Sequence, residues 1–178
     1  MQPLMRPSLQ TDGAARFFDY WNSLPKTDLV PDRHAFSPTA IPDLMRAVTI
    51  LEIWSRARIE MRLAGTGVCD VMGFDPTGWN MLALQPAAVR VHYLKLVEEQ
   101  VKRPCGRRSV LNARQADGTI LRAETISLPM RHALSGHDML LSYFNAIETI
   151  GFGENRYQIL GYEDTEWIDV GAGTPDWS

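Results

Sequence analysis

Residues 107–129 read RRSVLNARQADGTILRAETISLP. Two β-rich runs flank Asp117-Gly118, a dipeptide that favours tight turns between antiparallel strands. Arg107–Gln115 and Thr119–Pro129 therefore read as neighbouring strands joined by the tightest hairpin of their sheet. Ser135-Gly136 marks a longer loop, and Asp138–Ile147 forms a third strand. Along that strand Met139, Leu141 and Tyr143 point one way, while Leu140 and Phe144 point the other. Both faces are apolar, so both need a cover.

Upstream, Pro86 starts the longest helix, running to about Arg103, with Val89, Tyr93, Leu96, Val97 and Gln100 down one face. Gly73, Pro76 and Gly78 punctuate a loop-rich stretch before it. Gly65-Thr66-Gly67 ends one strand and opens a short helix through Val68, Val71 and Met72. Val48–Trp54 is β-rich, and Arg58–Leu63 alternates polar and apolar as a half-buried strand does. The expected fold is α+β: a five-stranded antiparallel sheet, with short helices and one long helix on one face.

The other face needs its own layer. Thr11-Asp12-Gly13 caps a helix carrying Ala14, Phe17, Phe18, Trp21 and Leu24 at helical spacing, and Pro25 stops it. This is the only helix to spare, so Phe17, Phe18 and Trp21 are expected to cover the outer face of their own chain or of a sister chain. The following connector is Pro-rich and charged, with too few apolar residues for a core, and is read as a strap. Ser37-Pro38 and Ile41-Pro42-Asp43 offer helix starts within it, the second leading into a short helix over Asp43 to Ala47. Three regions result: helix and strap over 1–47, a core over 48–150, and an extension over 151–178. That extension holds six acids and one arginine, interleaved with Tyr157, Tyr162, Trp167 and Trp177. It is expected to be ordered, with a hairpin around Leu160-Gly161, and to dock on Lys102, Arg103, Arg107 and Arg108 of its own domain or of a neighbouring chain.

Of 178 residues, 45% are hydrophobic and 22% charged, with a net charge of −3, so a globular core is within reach. Such a balance gives no reason to expect a nucleic-acid or anionic-membrane partner. No apolar run is long enough for a transmembrane helix, and no secretory signal is visible at the N-terminus. Cys69 and Cys105 lack metal-type spacing and read as reduced cytoplasmic thiols. Gly65-Thr66-Gly67 is not a dinucleotide fingerprint, because Asp70 occupies the third glycine position. His34, His132 and His137 are scattered over loops, and no Ser/His/Asp set or nucleophile elbow occurs. Asp70 and Asp75 could do acid–base work, although Asp75-Pro76-Thr77-Gly78 is more simply a turn. The chain is accordingly read as not an enzyme.

Several short motifs keep a characteristic order and spacing. They are Tyr20-Trp21 with Leu24; Pro31-Asp32-Arg33 with Phe36 and Pro38; Leu51-Glu52; Gly65-Thr66-Gly67-Val68 followed by Gly73; Asp75 with Thr77-Gly78; Pro104; Asp117-Gly118; and Leu128-Pro129. Together with the element order, they resemble a PAS domain, specifically the PAS_5 subfamily of alphaproteobacterial type, over about residues 17–147. The resemblance implies a small sensory or protein-interaction module with no general catalytic set and no settled cofactor. Some haem-binding PAS domains take an iron ligand from the long helix, where His92 lies, and flavin-adduct members keep a cysteine near the position of Cys69. Neither setting matches here, so neither haem nor flavin is expected.

Trp54, Trp79, His92, Tyr93 and Tyr143 are the candidates for lining a ligand pocket, with plain core filling as the competing reading. The expected function is a cytoplasmic signalling module that binds a small ligand or a protein partner and acts through association, as a homodimer or with a signalling protein. Two alternatives stand beside it: an interaction adaptor with a filled core, and a small cone-shaped α+β enzyme, isomerase-like, that uses a buried carboxylate.

Overall fold

The structure, a computed structural model, describes residues 7–177. In chain order its elements begin with α1 (Asp12–Ser23) and a short ribbon, β1 (Lys26–Thr27) with β2 (Val30–Pro31). Three 3-10 turns follow at Arg33–Ala35, Pro38–Ala40 and Met45–Ala47. Then come β3 (Val48–Ser55), β4 (Arg58–Ala64), α2 (Thr66–Met72), α3 (Met81–Leu84) and α4 (Ala87–Lys102). The chain closes with β5 (Cys105–Arg114), β6 (Thr119–Arg131), β7 (Asp138–Phe152) and β8 (Gln158–Asp169).

The central sheet runs β4-β3-β7-β6-β5-β8, and every pairing in it is antiparallel. It has six strands, not the expected five, because the acidic extension supplies β8 along the free edge of β5. There is no hairpin at Leu160-Gly161. The strand continues through that dipeptide with a register shift, which leaves Leu160 exposed. The tightest turn is also elsewhere than expected: Ser55 pairs directly with Arg58, so only Arg56 and Ala57 join β3 to β4. Asp117-Gly118 belongs to a four-residue loop. Only Gly118 has positive φ there. The loop instead bonds outward, with Ala116 N donating to Val71 O at 2.9 Å.

The alternation on β7 works as the residues demand. Met139, Leu141 and Tyr143 join Val48, Ile50, Ile126, Leu128 and Met130 in a core on the face that α1 covers. Leu140 faces the other way, with Leu51, Ile59, Met61, Tyr93 and Val97 under α3 and α4. Helix α1 belongs to the same chain as the sheet it covers. Its Phe17 ring stacks on Tyr143 with centroids 5.4 Å apart, and Trp21 Nε1 donates to Pro129 O at 2.9 Å. Phe17, Phe18 and Trp21 are at most 2% exposed. As candidates for contact with another chain they are therefore corrected: their apolar surface is already spent inside the domain.

The connector is richer in core residues than its composition suggested. Val30, Phe36, Ile41 and Leu44 are all buried, the last three within the core under α1. The expected short helix over Asp43 to Ala47 is a 3-10 turn at Met45–Ala47, whose backbone passes directly over Gly65. A Cβ on Gly65 would lie 2.2 Å from Met45 O, which only glycine avoids. The Gly-Thr-Gly stretch is thus a close-packing device at the start of α2.

Candidate functional site

The inner face of the sheet does not fill completely. Between it and the helices lies a cavity of about 130 Å³. Leu51, Met61, Leu111, Leu140 and Phe144 form the sheet wall, Val68, Met72, Met81, Tyr93 and Val97 the helical wall. Tyr157, Ile159 and Tyr162, from the extension, close one side. Strand β8 therefore both extends the sheet and completes the cavity.

Among the polar side chains that line this largely apolar space, Gln85 and Arg107 stand apart. Gln85 sits at the junction of α3 and α4 and is 2% exposed. Its backbone carbonyl accepts from Arg90 Nη2 at 3.0 Å, but neither Oε1 nor Nε2 of its side chain has a hydrogen-bond partner. Arg107, on β5, is 6% exposed, and its Nε and Nη1 are likewise without partners. Burial raises the Tyr162 hydroxyl above its ordinary range, and the charge of Arg107, which is hydrogen-bonded to it, offsets part of that rise. Burial also pushes the hydroxyls of Tyr93 and Tyr157 well above their ordinary range. Ser142 Oγ donates to Ser127 Oγ at 3.0 Å, so that polar pair is self-satisfied. A buried polar group left without a partner costs about 1–3 kcal/mol, and more when charged. Most buried polar groups in native folds are paired. Gln85 and Arg107 are the exceptions that line this cavity.

The expected pocket residues are dispersed. Tyr93 lines the cavity. Tyr143 borders it, yet its ring lies on the opposite face against Phe17. Trp54 is 45% exposed and edges a separate surface groove with Ile53 and Val101. It falls next to the two-residue turn, its ring tilted against His137 and facing the Arg58 guanidinium. Trp79 is 53% exposed against Phe74. His92 faces the extension, with Tyr162 at 5.1 Å and Trp177 at 6.3 Å between ring centroids. Burial, and then the Arg107 and Lys95 cations, hold its imidazole below its ordinary range. Sequence reasoning missed Gln85 altogether and read Arg107 as a partner for tail acids. The available signal was the inward register of β5, which puts Arg107 on the same face as Leu111 and Ala113.

The extension is held by several contacts. Arg108 pairs with Asp164, Arg122 Nε with Glu163 at 2.7 Å, and Arg103 Nη1 donates to Thr174 O at 2.6 Å. Of the four expected basic partners only Arg108 meets a tail acid. Lys95 lies over the Trp177 ring at 3.9 Å, and Trp167 Nε1 donates to Trp177 O at 2.5 Å.

Cys69 and Cys105 are free thiols, and burial pushes Cys105 up to about 12. Among the described residues no cluster of three or more His, Cys, Asp or Glu side chains is placed to hold a metal ion. No described helix is long and apolar enough to cross a membrane. A family model described as PAS_5, PAS domain, matches residues 9–144. No curated protein matches the chain.

Proposed function

The chain belongs to the PAS_5 family of PAS domains, and from that premise we propose that it is a cytoplasmic sensory module whose signal is a small molecule held in the cavity beside the sheet. The observation that supports this reading is the buried pair Gln85 and Arg107 on a largely apolar wall, with both side-chain polar atoms of Gln85 and the Nε and Nη1 of Arg107 left without partners. Small-molecule sites commonly combine an apolar lining with a few polar groups.

The response leaves through the extension and a protein partner. Tyr157 and Tyr162 touch the cavity, and the same segment leans on α4 through His92, Lys95 and Trp177. A molecule that favours one position of these tyrosines biases how the extension lies on α4, which is what a two-state output requires. The module works by binding, not catalysis. Its cavity is lined by one arginine and four tyrosines kept protonated by burial, so among the described residues no general base stands there at neutral pH. Haem and flavin are poor fits, since a cavity of about 130 Å³ is close to the ~150 Å³ that holds a single benzene ring. Any homodimer would use a surface other than the aromatic stripe of α1.

The test is ligand-detected NMR with a fragment library, on wild type and on Ala113→Leu, which fills the cavity. Fragments should bind wild type and lose binding in the filled variant, with thermal unfolding confirming that the variant is folded. If no fragment binds wild type, or if hits bind both proteins equally, the cavity is not a sensing site.

A further inference from the structure

We infer that the cavity takes a small monocarboxylic acid with an apolar body, its carboxylate held by Arg107. This rests on the sensory reading above and narrows it to a chemical class.

The argument begins with two neighbouring arginines. Arg107 and Arg108 point to opposite faces of β5 and are both buried, at 6% and 3% exposure. Arg108 is neutralised twice: its Nε meets Glu124 Oε1 at 3.0 Å, and its Nη1 meets Asp164. Arg107 forms no ion pair among the described residues, and no Asp or Glu lines the cavity it enters. A guanidinium does not lose its proton to escape burial. An uncompensated buried charge is among the most unfavourable features a fold can hold, so a negative partner from outside is the direct remedy.

The rest of the cavity selects among anions. Among the described residues one cation lines the cavity, so a monoanion leaves the site neutral, while a phosphate dianion would leave a charge buried among Leu51, Met61, Met81 and Leu140. The volume is about that which holds a single ring, so the whole acid, carboxylate included, has to be small, a short branched chain or at most one ring. Arg107 stands on the sheet and Gln85 on the helical wall. A molecule bonded to both ties the two walls together, which is how occupancy reaches α4 and the extension.

The experiment uses the full chain and four probes: benzoate, isovalerate and their neutral counterparts benzamide and isovaleramide. Affinities are measured by calorimetry and ligand-detected NMR, for wild type, Arg107→Met and Arg107→Lys. One charge-assisted hydrogen bond contributes about 1.5–3 kcal/mol, so at least one acid should bind roughly tenfold to hundredfold more tightly than its amide. Arg107→Met should erase that preference while leaving the amides' affinity in place. It should also unfold at no lower temperature than wild type in the absence of probe, because it removes an unpaired charge. A purely structural arginine would give the opposite result. Arg107→Lys keeps the charge and should keep part of the preference, which decides the matter should the Met variant not fold. Amides binding as tightly as acids, or a preference surviving in the folded Met variant or absent from a folded Lys variant, overturns the carboxylate assignment. Neutral fragments binding where no acid does overturns it as well, while the sensory reading stands. Binding of nothing at all overturns both.

Discussion

Glu124 carries four hydrogen bonds while fully withdrawn from water. Gln10 N and Arg108 Nε donate to Oε1 at 2.9 and 3.0 Å; Thr11 N and Thr11 Oγ1 donate to Oε2 at 3.1 and 2.8 Å. Thr11 is the N-cap of α1, so one carboxylate fixes both the start of the helix and the arginine beneath it. Glu124→Gln keeps the volume but replaces an acceptor oxygen with a donor. Breaking a buried pair in this way typically costs about 3–5 kcal/mol, and urea unfolding of the variant should show a loss of that order. His92 gives a second expectation. Its folded-state pKa lies below the ordinary 6.5, so the unfolded or undocked chain binds the proton more readily. Its contribution is complete above pH 6.5 and is lost as pH falls through the depressed folded value. Tryptophan fluorescence of the docked extension should therefore weaken below pH 6.5, and His92→Gln should flatten that response. Neither residue's role was legible from sequence. A glutamate on a strand reads as solvated until its cross-sheet partners are known, and Trp54 and Trp79 read as buried because bulk is a good but blind guide to burial.

Strand β8 shows where element-level reading succeeds and fails. Four aromatics among acids correctly implied an ordered segment, but a strand partner separated by some fifty residues leaves no local trace. The turn-like Leu160-Gly161 is consumed by a bulge, a feature set by register against β5 and invisible in the segment itself. By contrast, α1 and the β5–β7 set were legible because their apolar periodicity is strong, and α4 was legible from its length and the Pro86 that starts it. Strand β8 covers β5 along its length, from Cys105–Asp169 to Arg114–Gln158. Ending the chain after Asn155 would expose that edge and open the cavity wall formed by Tyr157, Ile159 and Tyr162. Long unpaired edges invite intermolecular strand addition. The truncated protein is therefore expected to self-associate in size-exclusion chromatography, where the full chain elutes earlier than its own volume only to the extent that it dimerises. A truncation that stays as disperse as the full chain would show that β8 does not protect the sheet.

Across the whole molecule the two faces of the sheet differ in kind. The α1 face is closely filled by Phe17, Phe18, Trp21 and the connector's Phe36, Ile41 and Leu44, while the α4 face keeps a cavity and unpartnered polar groups. Stability should therefore concentrate on the first face and mobility on the second. Native-state hydrogen exchange would report this as slow amides along β6 and β7 and faster exchange in α2, α3 and the Gln85 junction. Trp21 is the residue on which the filled face turns. It is fully buried, bonded to Pro129 O, and capped by Lys26, whose Nζ lies 4.5 Å from its ring centre and donates to Asn22 O at 2.7 Å. Trp21→Ala removes the largest side chain of that core, and such truncations cost about 3–5 kcal/mol. Because α1 covers its own chain, the loss should appear in urea unfolding without any change in oligomeric state by light scattering. A variant that dissociates before it unfolds would assign α1 to a dimer contact instead. A variant with wild-type stability would mean that the helix is not a structural cover, and the connector would then have no reason to hold it there.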